Sequence, residues 1–295
     1  MKHTIKALTV TVLAGIIAAG SVFAGNKDRA GQAGASELLL NPWARSSGWG
    51  GANVANIQGL EGQFLNVAGT AFTKGTEVLF SNTSYMKGSG INVNSFGLSQ
   101  KVGESGVLAL GFMSMGFGDI QITTTDMPEG GLGDYKINFM NIGISYAKGF
   151  TDHIFGGLCV RGINQSIPDA RASGIALDGG IQYVTGKYDN VKFGISLKNV
   201  GPKMQFSGDG LSFKFDNDLN TSTYTVDYRS ESFELPSQVN IGAAYDYYIG
   251  GDTATKTHRI TLAGAFVSNS FTKDELRVGL EYGFKTYFML RGGYG

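Results

Sequence analysis

The sequence predicts an all-β fold of long antiparallel strands, and three observations carry the prediction. Apolar and polar residues alternate with period two in segments of about ten residues along most of the chain. Glycine occurs 45 times in 295 residues, roughly twice ordinary usage, with only 5 prolines and no triplet period. There are 19 Phe and 13 Tyr, whereas charged residues make up only 16% of the chain. That composition suits strands that turn often and pack closely, and it excludes a disordered polyampholyte or a solvated coiled coil. The 24 basic and 24 acidic residues balance, and no local Lys/Arg cluster stands out, so nucleic acid is not an expected partner. One cysteine and three histidines argue against an internal disulfide and against a zinc site.

Residues 1–24 have the layout of a secretory signal peptide. Lys2 and Lys6 form the positive n-region, residues 7–20 the apolar h-region, and Val22-Phe23-Ala24 a small-residue cleavage site. No cysteine follows that would take a lipid. The mature chain from Gly25 carries two more acidic than basic residues. No later apolar run approaches the ~18 residues of a membrane helix, so an exported chain of this kind is either soluble or an outer-membrane β-barrel.

The strands favour the barrel. Over residues 275–284, Leu276, Val278, Leu280, Tyr282 and Phe284 occupy one face, and Glu275, Arg277, Gly279, Glu281 and Gly283 the other. Residues 190–198 and 238–247 obey the same rule, and noisier segments occur near 76–86, 91–101, 106–117, 137–148, 152–165, 174–185, 257–268 and 286–295. Residues 107–117 are apolar on both faces. Several apolar faces end in rings (Tyr146, Tyr183, Tyr245, Tyr247, Tyr282, Phe284), as do the aromatic girdles of membrane barrels. A soluble sandwich also alternates, but its strands are shorter and its polar face carries Lys and Glu rather than glycine. Residues 76–295 are therefore expected to form a transmembrane antiparallel outer-membrane β-barrel. Leu280 would face lipid and resist an arginine, and Ser196 would face a polar lumen and tolerate one.

Connection lengths agree with this. If residue 76 begins an upward strand, the short turns at 102–105, 149–151, 186–189, 250–256 and 285 share one end. The long connections 118–135 and 201–237 share the other, as expected for the outside of a bacterial barrel. About eleven strands are predicted, an odd number, with the last segment reaching Gly295. An unclosed barrel leaves a bare edge in lipid, so a chain truncated before closure is the expectation.

Residues 25–75 do not alternate. Residues 30–40 are predicted as a short helix ended by Asn41-Pro42. The small and aromatic residues after it, including Trp43 and Trp49, call for burial as a plug in the lumen rather than as a periplasmic linker.

Ala33-Gly34-Ala35, Leu38-Leu39 and Ala44-Arg45-Ser46-Ser47-Gly48-Trp49-Gly50-Gly51-Ala52 resemble the N-terminal signature of the PorV/PorQ proteins of Bacteroidota, within the FadL-like group of outer-membrane barrels. Phe64-Leu65-Asn66-Val67-Ala68-Gly69-Thr70-Ala71 is similar to their W-N-P-A-G-L-A segment, with Val67 at the proline. Residues 197–202, 234–245 and 290–294 carry further echoes, so the resemblance covers nearly the whole mature chain. It implies a barrel of about 14 strands when complete, with an N-terminal plug or hatch whose signature residues are Ala44, Arg45, Gly48, Trp49, Gly50, Gly51, Asn66, Ala68 and Gly69. It further implies a non-catalytic component of type IX protein secretion in the outer membrane. Its partners would be secreted cargo proteins bearing a C-terminal signal domain, other secretion components, and outer-membrane lipid.

The residues offer no competing chemistry and no cofactor site. His153 and His258 stand at strand starts without a motif, Cys159 sits in an apolar strand, and residues 208–212 read as a turn rather than an esterase box. Asp216, Asp218, Asn220 and Asp227 match a calcium-loop spacing, but Thr221 replaces its glycine, so a solvated loop is expected. The acidic residues Asp126, Glu129 and Asp134 (with Asp119 nearby), and Asp209, Asp216 and Asp218, are candidate partner-binding positions on the two long connections. The alternative function is a FadL-like channel for hydrophobic small molecules, with Met113, Met115, Phe139 and Met289 lining an apolar pocket.

Overall fold

The computed structural model describes residues 29–217, 222–249, 257–285 and 287–295; the leader and Asp218 lie outside them. Among the described residues no helix is long and apolar enough to cross a membrane. Eleven strands form one antiparallel sheet: β1 (Thr76–Tyr85), β2 (Ile91–Val102), β3 (Gly106–Gln121), β4 (Asp134–Gly149), β5 (Ile154–Ile167), β6 (Ala170–Thr185), β7 (Val191–Val200), β10 (Gln238–Ile249), β11 (His258–Asn269), β12 (Glu275–Phe284) and β13 (Phe288–Tyr294). Between β7 and β10, β8 (Ser212–Asn217) and β9 (Ser222–Asp227) pair only with each other. Each strand of the large sheet pairs with its neighbour in sequence, and β1 and β13 are its edges among the described residues.

This up-and-down order places the connections as their lengths predict. The short turns after β2, β4, β6 and β12 lie at one end, and both long connections lie at the other; the turn predicted at 250–256 lies outside the described residues. Differences arise where strands outrun their alternation. β3 and β4 extend to Gln121 and Asp134, past an irregularity between Gly116 and Asp119, and Lys136 pairs with Asp119 at 3.2 Å. β5 and β6 run on to Ile167 and Ala170, leaving only Pro168-Asp169 between them; proline there presets the turn.

The long connection 201–237 has structure of its own. It contains the β8–β9 hairpin, and on both sides of it the chain folds back. Ser207 bridges Arg171, Met204 bridges Phe233, and Glu234 bridges Ala33. Residues 30–40 form a single 3-10 turn (Ser36–Leu39) rather than a helix. Ala35, before it, has φ 50°, and Gly34 is pressed against the Phe233 ring. Tertiary contact with the long connection overrides local helix propensity there.

The sheet is apolar outside and polar within. In β12, Leu276, Val278 and Leu280 are exposed outward, while Gly279, Glu281 and Gly283 are buried. Outward residues on the other strands include Leu108, Leu110, Ile144, Leu158, Ile181, Ile195 and Ile241. Buried inward residues include Ser95, Asn141, Arg161, Asp178, Gln182, Ser196 and Asn240. The six terminal rings named from the sequence all lie toward the short-turn end.

β3 explains its own two-sided apolarity. Leu108 and Leu110 point outward, while Met113 and Met115 point inward onto Trp43 and Phe64. Ser196 is on the inner face as predicted, but it is 1% exposed and accepts a hydrogen bond from Asn240 Nδ2 at 3.1 Å. No water-filled lumen surrounds it, so the expectation that an arginine fits there does not hold.

Candidate functional site

The inner face is occupied by the chain's own N-terminal segment, residues 29–73, with short helical turns at Ala44–Ser47, Asn53–Ala55, Gly62–Leu65 and Val67–Phe72; Asn53–Ala55 lies on β7, β10 and β11, and Val67–Phe72 on β3 to β6. The glycines of the polar face are its sockets. A Cβ on Gly97 would lie 2.7 Å from Leu60 Cδ2, one on Gly194 2.6 Å from the Val54 carbonyl, and one on Gly279 2.7 Å from the Trp49 ring. Gly111 and Gly180 leave no room for a Cβ beside Gln63 Oε1 and Asn66 Oδ1. Glycine on this face allows backbone to lie directly on backbone.

The signature residues serve this contact. Gly50 (φ 61°) and Gly51 (φ 77°) turn the chain where it meets β13 and β12; a Cβ on Gly50 would lie 2.9 Å from Gly293 C, and on Gly51 2.5 Å from Arg277 Nη1. Both positions favour glycine for conformation and for space. Trp49 is buried over Gly279 and Gly293. Gly48 donates its N–H to the Ala44 carbonyl at 3.0 Å and closes the turn that Ala44 begins. Arg45 pairs with Glu61 (2.9 Å) and donates to the Gln58 carbonyl (3.2 Å).

Asn66 caps the turn that follows it and ties the segment to the sheet. Its Oδ1 accepts from Ala68 N (3.2 Å), and its Nδ2 donates to the carbonyls of Val54 (2.9 Å) and Ile181 (3.2 Å). Ala68 is fully buried, and Gly69 packs on the Ile57 carbonyl while its own carbonyl accepts from Gly59 N (2.9 Å). All nine signature residues thus belong to the N-terminal segment; Trp49, Gly50, Gly51, Asn66, Ala68 and Gly69 carry its packing.

The segment is also held by buried polar pairs that the sequence did not single out. Arg161 of β5 and Asp178 of β6 pair at 2.8 Å with side chains 4% exposed. Arg161 donates to the Gln63 carbonyl (3.2 Å) and lies over the Phe64 ring (4.8 Å). Asp178 accepts from Asn199 N (2.7 Å), where φ 58° puts Asn199 in the left-handed region beside the β6–β7 register shift. Gln63 Nε2 donates to the Gly143 carbonyl (3.0 Å). Glu37 accepts from Gln165 Nε2 (2.9 Å), and burial raises its pKa. Burial also raises Glu61, against the pull of Arg45. The available signal was an isolated charge at an inward position of two adjacent strands, Arg161 and Asp178.

The interior differs from end to end. Toward the long connections it is apolar: Trp43 and Phe64 (edge to face, 5.9 Å) pack with Val93, Met113 and Met115, and Phe139 borders them. Beside them, Leu38, Ile163, Met204 and Leu235 form a second apolar cluster. Toward the short turns lies a charged chamber of about 160 Å³ lined by Arg45, Glu61, Lys192, Asp246, Arg259, Glu281 and Arg291. Lys192 pairs with Asp246 at 2.6 Å, and Glu281 takes both Arg259 and Arg291. Met289 lines this chamber, apart from the three residues with which it was grouped.

The candidate partner-binding acids are placed at the long-connection end. Asp126, Glu129 and Asp134 are exposed at the β3–β4 connection, and Asp209 is exposed on a 3-10 turn. Asp216 is on β8, opposite Thr223, and Asp227 on β9, opposite Ser212; in this extended hairpin the calcium-loop spacing does not form a helix-flanked loop, and Asn220, like Asp218, lies outside the described residues. The histidines lie at the other end. His153 Nδ1 is 2.9 Å from the Val184 carbonyl and His258 Nδ1 2.7 Å from the Tyr282 hydroxyl. The chain matches no family model, and no curated protein sequence matches it.

Proposed function

We propose that this chain is a non-catalytic outer-membrane barrel of the PorV/PorQ kind, with residues 29–73 as its hatch and the long connections facing outward. There they would receive secreted cargo or the attachment machinery of type IX secretion. The observation that carries the membrane part is the inverted sheet: exposed Leu, Ile, Val and aromatic side chains outside, and buried polar and glycine positions within. In water such a surface is a liability; in lipid it is the stable arrangement.

Contacts of the N-terminal segment with both sheet edges support the barrel. Ser81 of β1 donates to the Pro42 carbonyl (2.8 Å), and Gly293 of β13 packs on Trp49. The chain from Pro42 to Trp49, partly helical, reaches only ~15–20 Å. With the contacts at either end added, the two edges stand within roughly 25 Å of each other at these points, about five spacings of ~4.8 Å, a gap that a few further strands would close. The secretion role is supported by the resemblance and by two long connections at one end, one of which carries the β8–β9 hairpin.

The test is crosslinking of the tagged protein in its native outer membrane, followed by identification of what co-purifies. Secreted proteins sharing a C-terminal domain are the expected result. Hydrophobic small molecules without protein partners would replace this reading with a FadL-like channel.

A further inference from the structure

The outward face is not evenly filled. Toward the short-turn end, across β4 to β7, it carries a slot of about 560 Å³. Its floor is low because Gly156 of β5 and Gly179 of β6 are outward positions without side chains; at Gly156 the Phe150 ring lies over the backbone and forms part of the lining. Tyr146 and Leu158 wall one side, and Ile181, Ile195 and Leu197 the other. The dent has a structural cause: the pairing of β6 with β7 shifts register between Leu177 and Gly179, and such an irregularity bends the strand.

Lys148, the only charged residue lining the slot, is exposed, and among the described residues no carboxylate lies in ion-pair range of it. The Tyr146 hydroxyl reaches the same level, over Gly106, which is the residue paired with Lys148.

We infer that this slot binds one acyl chain of an anionic glycerophospholipid, with the phosphate on Lys148. The inference rests on the membrane reading above. A narrow apolar channel with one cation at its short-turn end matches an amphiphile with one charged head and an unbranched tail. The glycine floor gives the tail dispersion contacts on three sides, where a wall of protruding side chains gives them on one. The lysine stem follows the apolar surface while its ammonium stays at headgroup level.

The full chain, folded into mixed phosphatidylglycerol and phosphatidylcholine vesicles and extracted into mild detergent, is weighed by native mass spectrometry. The wild type is expected to retain one phosphatidylglycerol. Gly179→Leu fills the slot and loses it. At Gly179 a Cβ meets only Leu158 Cδ2, at 3.4 Å, so Gly179→Ala, which adds that atom alone, serves as the milder companion variant, and protease protection reports whether each variant inserts. Lys148→Gln keeps the slot and lowers the preference for phosphatidylglycerol over phosphatidylcholine about fivefold, the weight of one lysine near an anionic surface. Equal lipid retention by wild type and Gly179→Leu, or a second copy of the chain retained in place of lipid, overturns the inference. Protease protection in the vesicles reports insertion separately. Insertion without a retained lipid sinks the slot alone, whereas failure to insert sinks the membrane reading and the slot with it.

Discussion

The two faces of the same strands obey opposite rules. Outward positions carry large apolar side chains and tolerate a dent; inward positions carry glycine, polar groups, paired charges and, toward the long connections, packed apolar side chains, and admit almost no added atom. Outward side chains need only an apolar surrounding, which is non-directional and roughly proportional to area. Inward positions must fit a particular backbone, and each buried polar group must find a partner. The outer face is thus specified by residue class and the inner face by residue identity.

The comparison breaks most sharply at the buried ion pair. Asp178→Asn keeps an acceptor for Asn199 N but leaves the Arg161 guanidinium uncompensated and 4% exposed. A loss of about 3–5 kcal/mol is expected in urea unfolding from vesicles. A loss below about 1 kcal/mol would mean that water reaches the pair and that the inner face is not closed by the N-terminal segment.

The outer face is tested at Leu280, which is 51% exposed. Leu280→Arg is expected to cost roughly 2–4 kcal/mol in a bilayer if this position sits near its midplane. A surface facing water would show a change within about 0.5 kcal/mol, and that result would sink the membrane reading. Ser196→Arg is no longer its benign control, because that side chain is buried against Asn240.

The smallest effect sharpens the contrast with a single methyl group. Gly111→Ala, inward, drives a Cβ into Gln63 and is expected to cost about 1–3 kcal/mol. Gly162→Ala, outward, meets only the Ile142 carbonyl at 3.8 Å and should change stability by no more than about 0.5 kcal/mol. Equal costs in the same unfolding assay would show that the glycines serve the strands rather than the segment laid on them.

Much of this architecture was legible. Eleven strands, their facing sides and the shared end of the long connections follow from period-two alternation and turn residues, which are local signals. Alternation did not reveal the β8–β9 hairpin, because its strands pair only with each other and Phe213 and Val226 stay exposed. The irregularity between Leu177 and Gly179 was also hidden, since a register shift depends on the partner strand as much as on the strand itself.

The sequence by itself determined that the chain alternates, which side of each strand is apolar, and that glycine dominates the other side. Only the tertiary structure decided why it is glycine. Gly194 needs no side chain because Val54 lies there, and Gly279 because Trp49 does, partners well over a hundred residues away in the chain. Alternation is written in neighbours, and a strand carries it wherever it goes. A close approach of two backbones exists only once distant segments have met.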